Sequence, residues 1–232
     1  MDGCVFLSPQ QIAFYEAFGY LALPGLFRDE IEGFTRAFEA VFADDSSPRI
    51  DLDVELHRNE PRVVVPGIID RHPVLAPLRD DPRITGIVRD LLGDGARYLE
   101  SDGNIYSCDS EWHSDIYGSP LEIRHVKLAF YLDPLRADSG AVRLIPGTNH
   151  WEDAFATGLR KEFRRFGEIP SIYGVDGTDI PCVTLDSNPG DLLLWDFRTI
   201  HASYGGSSRR RLFTLNFREP QVEGVGSEAV HP

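Results

Sequence analysis

The sequence predicts one α+β domain that is mainly β, with helices first and a double-layered barrel of short strands after them. Two features of the 232-residue chain predict this order. Up to about residue 95, apolar side chains recur at helical spacing between recognisable helix ends. From about residue 96 onward, the segments are short, rich in β-forming residues and punctuated by Gly, Pro, Asn and Asp.

The helical part, residues 1–95, contains three predicted helices. The first has Ser8 as a candidate N-cap, with Pro9 at the first helical position and Gly19 at its end. A later helix, "PRITGIVRDLLG", ends at Gly93. Between them, "ADDSSPRIDLD" is expected to be a polar loop. The second helix, "RDEIEGFTRAFEAVFA", places five apolar residues on one face, and we interpret them as core: Ile31, Phe34, Phe38, Val41 and Phe42.

The barrel is expected over residues 96–220. An insertion of mixed helical and loop character, residues 151–180, interrupts it and is predicted to act as a lid and specificity element. The strand segments are "ARYLESDGNIYS", "LEIRHVKLAFYLDP", "GAVRLIPG", "CVTL", "GDLLLWDF" and "RRLFTLNF".

Composition and charge exclude several classes of protein. A net charge of −14 argues against a nucleic-acid or anionic-membrane surface. No apolar run approaches the ~20 residues of a membrane span, and the N-terminus lacks the pattern of a secretory signal. Three scattered cysteines are too few for a disulfide framework. These observations predict a cytoplasmic protein whose partner is a small molecule.

The segment "EWHSDIYGSP" places His113 and Asp115 two positions apart, which is two thirds of a possible metal site. His201 is the best third ligand, because it ends "GDLLLWDFRTIH", and a His at the end of a late strand can reach back across a barrel. His125 lies within a strand and is expected to be a satisfied sheet histidine. The other histidines lie in polar, turn or terminal segments: His57, His72, His150 and His231.

Two histidines and one carboxylate on one face of a metal leave three coordination positions open. This is the facial triad of non-haem Fe(II) oxygenases. Zn²⁺ can use the same three groups together with a water molecule, so the ligands alone do not identify the metal.

Arg210 distinguishes between these metals. A guanidinium beside the metal suits a dicarboxylate co-substrate, whose keto acid end chelates iron and whose distal carboxylate needs a planar two-pronged donor. Ser203 can add a hydroxyl to the same carboxylate. Arg211 is the alternative if the strand boundary shifts by one residue, and Arg209 is expected in a solvated turn. The even positions of the strand share one face: Arg210, Leu212, Thr214 and Asn216.

Four blocks in order resemble the phytanoyl-CoA dioxygenase family of Fe(II)- and 2-oxoglutarate-dependent oxygenases, which includes ectoine hydroxylase. "LSPQQIAFYEAFGYLALPGLF" is similar to the family's opening helix and strand, and "WHSD" resembles its metal-binding segment. "VKLAFYLDPLRADSGAVRLIPGTNH" is similar to the central hairpin, and "GDLLLWDFRTIHAS" to the strand with the distal histidine. The resemblance covers nearly the whole chain. It implies a double-stranded β-helix of jelly-roll or cupin type, with the helices packed outside.

The resemblance also implies roles for individual residues. His113, Asp115 and His201 would bind Fe(II), with O₂ and 2-oxoglutarate as co-substrates. 2-Oxoglutarate is expected to be held by Arg210, Ser203 and Asn104. For Asn104 the implication is weakened, because the segment from this residue to the metal motif is shorter than in ectoine hydroxylase.

The expected reaction is the hydroxylation or another oxidation of an unactivated C–H bond in a small metabolite. Halogenases of this superfamily replace the carboxylate ligand with Ala or Gly, whereas Asp115 retains it. A metal-dependent hydrolase and a non-catalytic binding protein on the same fold remain alternatives. Lys127 has the inward parity of its strand, where it would meet an acidic substrate or the co-substrate, or form a buried structural pair.

Overall fold

The computed structural model describes residues 6–52, 62–107, 109–116, 120–163, 179–206 and 209–220. The helices are α1 (Pro9–Phe18), α2 (Ile31–Ala43), α3 (Pro82–Leu92) and α4 (Ala154–Phe163). The strands are β1 (Tyr20–Leu23), β2 (Ile50–Leu52), β3 (Arg62–Pro66), β4 (Arg97–Tyr106), β5 (Ser110–His113), β6 (His125–Tyr131), β7 (Val142–Leu144), β8 (Val183–Leu185), β9 (Leu192–Asp196), β10 (His201–Ser203) and β11 (Arg210–Arg218).

The strands form two antiparallel sheets. The larger sheet has the order β1-β9-β6-β11-β4-β3-β2, and the smaller has the order β5-β10-β7-β8. Side chains from the inner faces of both sheets pack into one apolar cluster, which includes Ala129 and Leu193 from the larger sheet and Leu144 from the smaller. The predicted fold is therefore confirmed: the protein is mainly β, with the two-layered barrel of a jelly roll.

Helices α2 and α3 cover the outer face of the larger sheet. Phe34 of α2 packs edge-on against Phe130 and Phe213, whose ring centroids each lie 6.2 Å from its own. These two rings belong to neighbouring strands and stack with centroids 4.5 Å apart. The apolar face predicted for α2 is thus buried against the outer face of β6 and β11, at Phe130 and Phe213. The N-terminal helices lie outside the barrel, as expected.

Local signals place the helix ends correctly. The Ser8 side chain accepts a hydrogen bond from the Gln11 N–H, and the two residues form a reciprocal capping box before α1. Gly19 ends the helix at φ 81°, a left-handed conformation that favours glycine. Gly93 follows the last residue of α3.

The prediction of a polar loop over residues 43–53 is wrong for its last part. Residues 50–52 form β2, which pairs with β3, and β3 pairs in turn with β4. The region of residues 1–95 therefore contributes three strands to the larger sheet as well as helices. Short edge strands are stabilised by the ladder of the neighbouring strand, so a local pattern of alternation is not required for them.

His201 lies at the start of β10, and not at the end of the strand that precedes it. Strand β9 ends at Asp196, whose side chain accepts from the backbone N–H and the guanidinium of Arg198. This turn carries the chain from the larger sheet to the smaller one. The histidine consequently begins a new strand that faces the first sheet across the barrel.

The described part of the insertion at residues 151–180 includes helix α4, which lies on the barrel. Helix α4 packs Leu159 into a cluster with Trp112, Ile200 and Tyr204 on the outer face of the smaller sheet. Residues 164–178 lie outside the described part, as do His57 and His231. The lid therefore stays a prediction. Within the described residues, no helix has the length and apolar character needed to cross a membrane.

Phe34→Ala should lower the free energy of unfolding by about 3–5 kcal/mol, because it removes a buried ring and leaves a cavity between α2 and the larger sheet. Urea denaturation followed by circular dichroism measures this change. Phe155→Ala is the matched control, since Phe155 is exposed on α4, and it should change stability by less than about 0.5 kcal/mol. Equal losses in both variants would contradict the assignment of Phe34 to the core.

Candidate active site

His113 and His201 are brought together by strand pairing. They are directly opposite in the antiparallel register of β5 and β10, and their ring centroids lie 4.3 Å apart. The Nδ1 of His113 lies 2.6 Å from the Glu111 carbonyl, and that of His201 lies 3.0 Å from the Thr199 carbonyl. A carbonyl oxygen only accepts, so each Nδ1 carries the proton. Both Nε2 atoms therefore have the lone pair that metal binding requires.

Asp115 lies just beyond β5 and completes the group. Its backbone N–H donates to the Phe197 carbonyl, which anchors the loop. One carboxylate oxygen, Oδ1, accepts from the Lys127 ammonium at 2.7 Å. The other, Oδ2, accepts from the Trp195 indole N–H at 3.1 Å and lies 3.6 Å from Nε2 of His201. Lys127 thus forms the buried ion pair that was one of its three expected roles.

The protonation states of these three side chains favour the binding of a metal cation. Burial, followed by the neighbouring His201, lowers the pKa of His113 to about 3. Burial also lowers the pKa of His201. For Asp115, burial alone raises the pKa, but Lys127 and the two imidazoles reverse this and the net shift is downward. Two neutral imidazoles and one ionised carboxylate are therefore available as ligands at neutral pH.

The ligand atoms of His113, Asp115 and His201 all lie within 4.8 Å of one another. Among the described residues, this is the group of His, Cys, Asp and Glu side chains able to hold a metal ion. Its donors are those of a 2-His-1-carboxylate facial triad. His125 does not join them. Its Nδ1 donates to the Ile123 carbonyl, and its ring stacks on Phe197, as expected for a structural histidine.

Arg210 lies fully buried on the inner face of the barrel, with 0% of its surface exposed. Its Nη1 donates to the Gly140 carbonyl at 2.8 Å and to the Ser203 hydroxyl at 3.1 Å. The guanidinium lies over the Tyr106 ring, 4.2 Å from the centroid. Arg210 and Ser203, which were both predicted to hold 2-oxoglutarate, therefore lie side by side, with Ser203 in the strand that begins with His201.

Arg211 has the opposite parity and a different environment. Its guanidinium binds the carboxylates of Asp133 and Glu39 outside the barrel, the latter at 2.7 Å. Arg209 is exposed in the turn before β11. Of these three arginines, Arg210 is the one whose side chain faces the inside of the barrel.

Asn104 faces the interior from β4, and its side-chain oxygen is occupied. It accepts from Nε and Nη2 of Arg62 at 3.1 and 2.9 Å. Arg62 also lies over the Tyr106 ring, with its Cζ 5.2 Å from the centroid. Arg62 was not predicted as a site residue, because it lies on β3, a strand that the sequence pattern does not indicate. Its inward orientation depends on the pairing of β3 with β4.

One cavity of about 140 Å³ inside the barrel is lined by the triad together with Lys127, Asn104, Arg62 and Ser203. Arg210 lies behind this wall and reaches it through its hydrogen bond to Ser203. Asp115 was the one carboxylate among the predicted site residues. Glu100 and Asp102, which were not predicted, also line this cavity. Both lie at alternate positions of β4, as Asn104 does, and this parity is the signal that was available in the sequence. The cavity is also lined by Trp195, Phe197, Leu212, Thr214 and Asn216.

A jelly-roll barrel with a His-Asp-His group on its inner wall is the architecture of a non-haem Fe(II) oxygenase. The model of the phytanoyl-CoA dioxygenase family matches residues 15–212. The chain belongs to this family. It is an oxygenase that uses Fe(II) and O₂, with 2-oxoglutarate as co-substrate.

Individual relatives agree with the family. The ectoine dioxygenase of Bordetella bronchiseptica is 24% identical over 223 residues, which span 85% of this chain and 70% of that protein. The α-ketoglutarate-dependent carbocyclase SnoK of nogalamycin biosynthesis has a TM-score of 0.69 and 22% identity, covering 92% of this chain and 84% of that one. EctD from S. alaskensis, with 2-oxoglutarate and 5-hydroxyectoine, has a TM-score of 0.70 and 22% identity, covering 94% and 78%. At these identities, the structures establish the fold.

Proposed function

We propose that this enzyme oxidises an unactivated C–H bond of a small metabolite, most simply by hydroxylation, and releases succinate and CO₂ from 2-oxoglutarate. The observation that carries the proposal is a cavity lined by the triad His113, Asp115 and His201 and by Ser203, whose hydroxyl accepts from the buried guanidinium of Arg210. The triad offers a metal site, and Arg210 offers a site for a distal carboxylate.

In this proposal, His113, Asp115 and His201 hold Fe(II) and leave three positions open. Iron with bound 2-oxoglutarate supplies the activation of O₂ when both are present. The protein contributes the orientation of the ligands. Lys127 and Trp195 hold the Asp115 carboxylate from the opposite sheet, so that Oδ2 faces His201. Such second contacts are what keep a metal ligand in its productive orientation.

Arg210 and Ser203 bind the distal carboxylate of 2-oxoglutarate. A guanidinium in a water-poor site makes charge-assisted hydrogen bonds to a carboxylate, and its planar fork fixes the direction of approach. The Gly140 carbonyl and the Tyr106 ring hold this fork in place. Asn104 contributes its amide to the same ligand, in an orientation that Arg62 sets by donating to its oxygen.

The retained carboxylate of Asp115 supports hydroxylation over halogenation. A Zn²⁺ hydrolase can use the same three ligands, but a buried arginine next to the site has no function in metal-assisted hydrolysis of a neutral substrate. A non-catalytic binding protein would not need two imidazoles and a carboxylate within one coordination sphere. Both alternatives make distinct predictions for the consumption of 2-oxoglutarate.

Succinate should form from 2-oxoglutarate only when Fe(II) and O₂ are both added, and a metabolite library should contain compounds that stimulate it. His201→Ala should abolish this activity and weaken iron binding, because two ligands hold the metal far less firmly than three. Mass spectrometry of succinate and anaerobic iron titration measure these effects. His125→Ala is the control, since this histidine lies outside the triad, and it should retain iron binding. Normal iron binding by His201→Ala would contradict the assignment.

Arg210→Ala should raise the 2-oxoglutarate Kd by about 100- to 1,000-fold, because removal of one partner from a buried ion pair costs about 3–5 kcal/mol. Calorimetric titration of the iron-loaded protein measures the change. Arg209→Ala should be near neutral. Arg211→Ala should lower stability through the loss of its two carboxylate partners and leave the 2-oxoglutarate Kd unchanged. A large co-substrate defect in Arg211→Ala, with a mild one in Arg210→Ala, would assign the role to Arg211.

Gly140→Ala should weaken 2-oxoglutarate binding by about tenfold or more, since it displaces the guanidinium. An added Cβ would collide with Nη1 of Arg210, and the residue has φ +89°, where an L-residue costs about 1–2 kcal/mol. Gly147→Ala is the matched control, because it has φ +81° and its Cβ would only approach the Ala17 carbonyl at 3.8 Å. Both variants should lose stability, but Gly147→Ala should bind 2-oxoglutarate normally. Equal Kd values for the two would refute this role.

A further inference from the structure

The inner wall formed by β4 and β11 changes its chemistry along the strands. At one end of the register, Tyr106 pairs with Arg210, and the guanidinium groups of Arg210 and Arg62 point to the same ring. At the other end, Asp102 pairs with Thr214, and Glu100 pairs with Asn216. The first end therefore presents hydrogen-bond donors. The second presents carboxylate, hydroxyl and amide oxygens.

We call the four side chains of the second end the acceptor wall: Glu100, Asp102, Thr214 and Asn216. All four line the cavity that also contains the triad. Alternate residues of a strand lie on the same face, and paired residues of neighbouring strands lie side by side, so the four form one continuous patch. The patch lies about 14–20 Å along β11 from Arg210, at roughly 3.4 Å per residue.

Two buried oxygen atoms of the acceptor wall lack a partner within the described residues. Thr214 and Asn216 are 3% and 2% exposed, and neither the Thr214 Oγ1 nor the Asn216 Oδ1 has a hydrogen bond. The Asn216 Nδ2 points to the Glu100 carboxylate, 3.4 Å from Oε1, which fixes the opposite orientation of the oxygen. A buried polar atom without a partner is costly, so these oxygens indicate a ligand that donates hydrogen bonds.

The carboxylates of the acceptor wall also favour a ligand that donates hydrogen bonds, and in particular a cationic one. Burial raises the pKa of the Asp102 carboxyl, and the nearby Glu100 carboxylate raises it further. Lys127 and Arg62 lower this pKa in part, but the net shift is upward. Lys127 lies in the same cross-strand row as Asn216, and its ammonium is engaged at 2.7 Å by Asp115. A cation placed between Glu100 and Asp102 would relieve their repulsion. 2-Oxoglutarate is a dianion and would be repelled, so it does not suit this end of the cavity.

We propose that the primary substrate carries a cationic nitrogen group rich in N–H donors, such as an ammonium or guanidinium, and that the acceptor wall binds it. Glu100 and Asp102 pair with the charge, and Thr214 and Asn216 accept N–H hydrogen bonds. This inference rests on the proposed function, because it assigns the donor end of the cavity to 2-oxoglutarate. The substrate is then held by its charged group while a C–H bond faces the triad.

A pair of isosteric fragments tests the charge requirement. Butylguanidinium and neutral butylurea have nearly the same shape, and they differ in charge and in one NH2 group, which is a carbonyl oxygen in the urea. Their Kd values are measured by ligand-observed NMR on the anaerobic protein loaded with Fe(II) and 2-oxoglutarate. Wild-type protein should bind butylguanidinium about tenfold or more tighter than butylurea, as expected for one or more charge-assisted hydrogen bonds. The double variant Glu100→Gln/Asp102→Asn should lose this preference.

Glu32→Gln is the matched control, because Glu32 is an exposed carboxylate on α2, outside the cavity. Its ion pair among the described residues is with the exposed Arg36, at 3.7 Å. It should keep the preference of the wild type. Equal binding of the two fragments by the wild type would overturn the inference, as would a preference that survives in the double variant. Circular dichroism and iron titration verify that the double variant is folded.

The visible charge-transfer band of the Fe(II)–2-oxoglutarate complex separates the two levels of the proposal. If the band forms and butylguanidinium is not preferred, the cationic substrate is wrong and the oxygenase function stands. If the band does not form in the wild type, the proposed function fails, and the substrate inference fails with it. If the band forms and the preference depends on Glu100 and Asp102, both are supported.

Discussion

The geometry of the cavity depends on the buried carboxylate of Asp115. An ionised carboxylate between two sheets is costly unless charged and hydrogen-bonding partners replace the lost water. Lys127 and Trp195 supply those partners from the larger sheet, and the Phe197 carbonyl fixes the backbone. The loop after β5 is thereby tied across the barrel. Because both oxygens are constrained, Oδ2 is held facing His201, and the position of the third metal ligand relative to the two imidazoles is defined by the sheets.

The cavity is also divided by charge. Apart from Lys127, whose ammonium pairs with Asp115, its donors are grouped near the start of β11, around Arg62 and Ser203, and its acceptors are grouped further along the strand, around Thr214. Arg210, Thr214 and Asn216 are buried, and water-poor surroundings strengthen such electrostatic differences. Glu100 lies at the exposed end of the patch. In the proposed arrangement, an anionic co-substrate and a cationic substrate each have an end of the cavity that suits them, and the metal site lies on the facing sheet. The same separation disfavours binding of either ligand in the wrong end.

The sequence alone was sufficient for the fold class, and it selected the three residues of the proposed metal triad, which the structure brings together. Helix ends at Ser8 and Gly19 follow from local hydrogen bonding and backbone preference, which need no tertiary partner. The metal motif is partly local too, since His113 and Asp115 are two residues apart. His201 was found through the order of its surrounding block, although its place at the start of β10 was not anticipated. The inward parity of Arg210 was predicted correctly, yet a slip of one residue would have favoured Arg211.

The tertiary structure decided what depends on pairing between strands. Strand β3 exists as part of the ladder on β4, so Arg62 and its contact with Asn104 could not be found from a local pattern. Lys127 had three open roles until the opposite sheet placed Asp115 against it. The acceptor wall arises because register aligns alternate residues of β4 and β11, as in the pair of Asp102 with Thr214. A single strand determines which side chains share a face, but only the register determines which of them become neighbours.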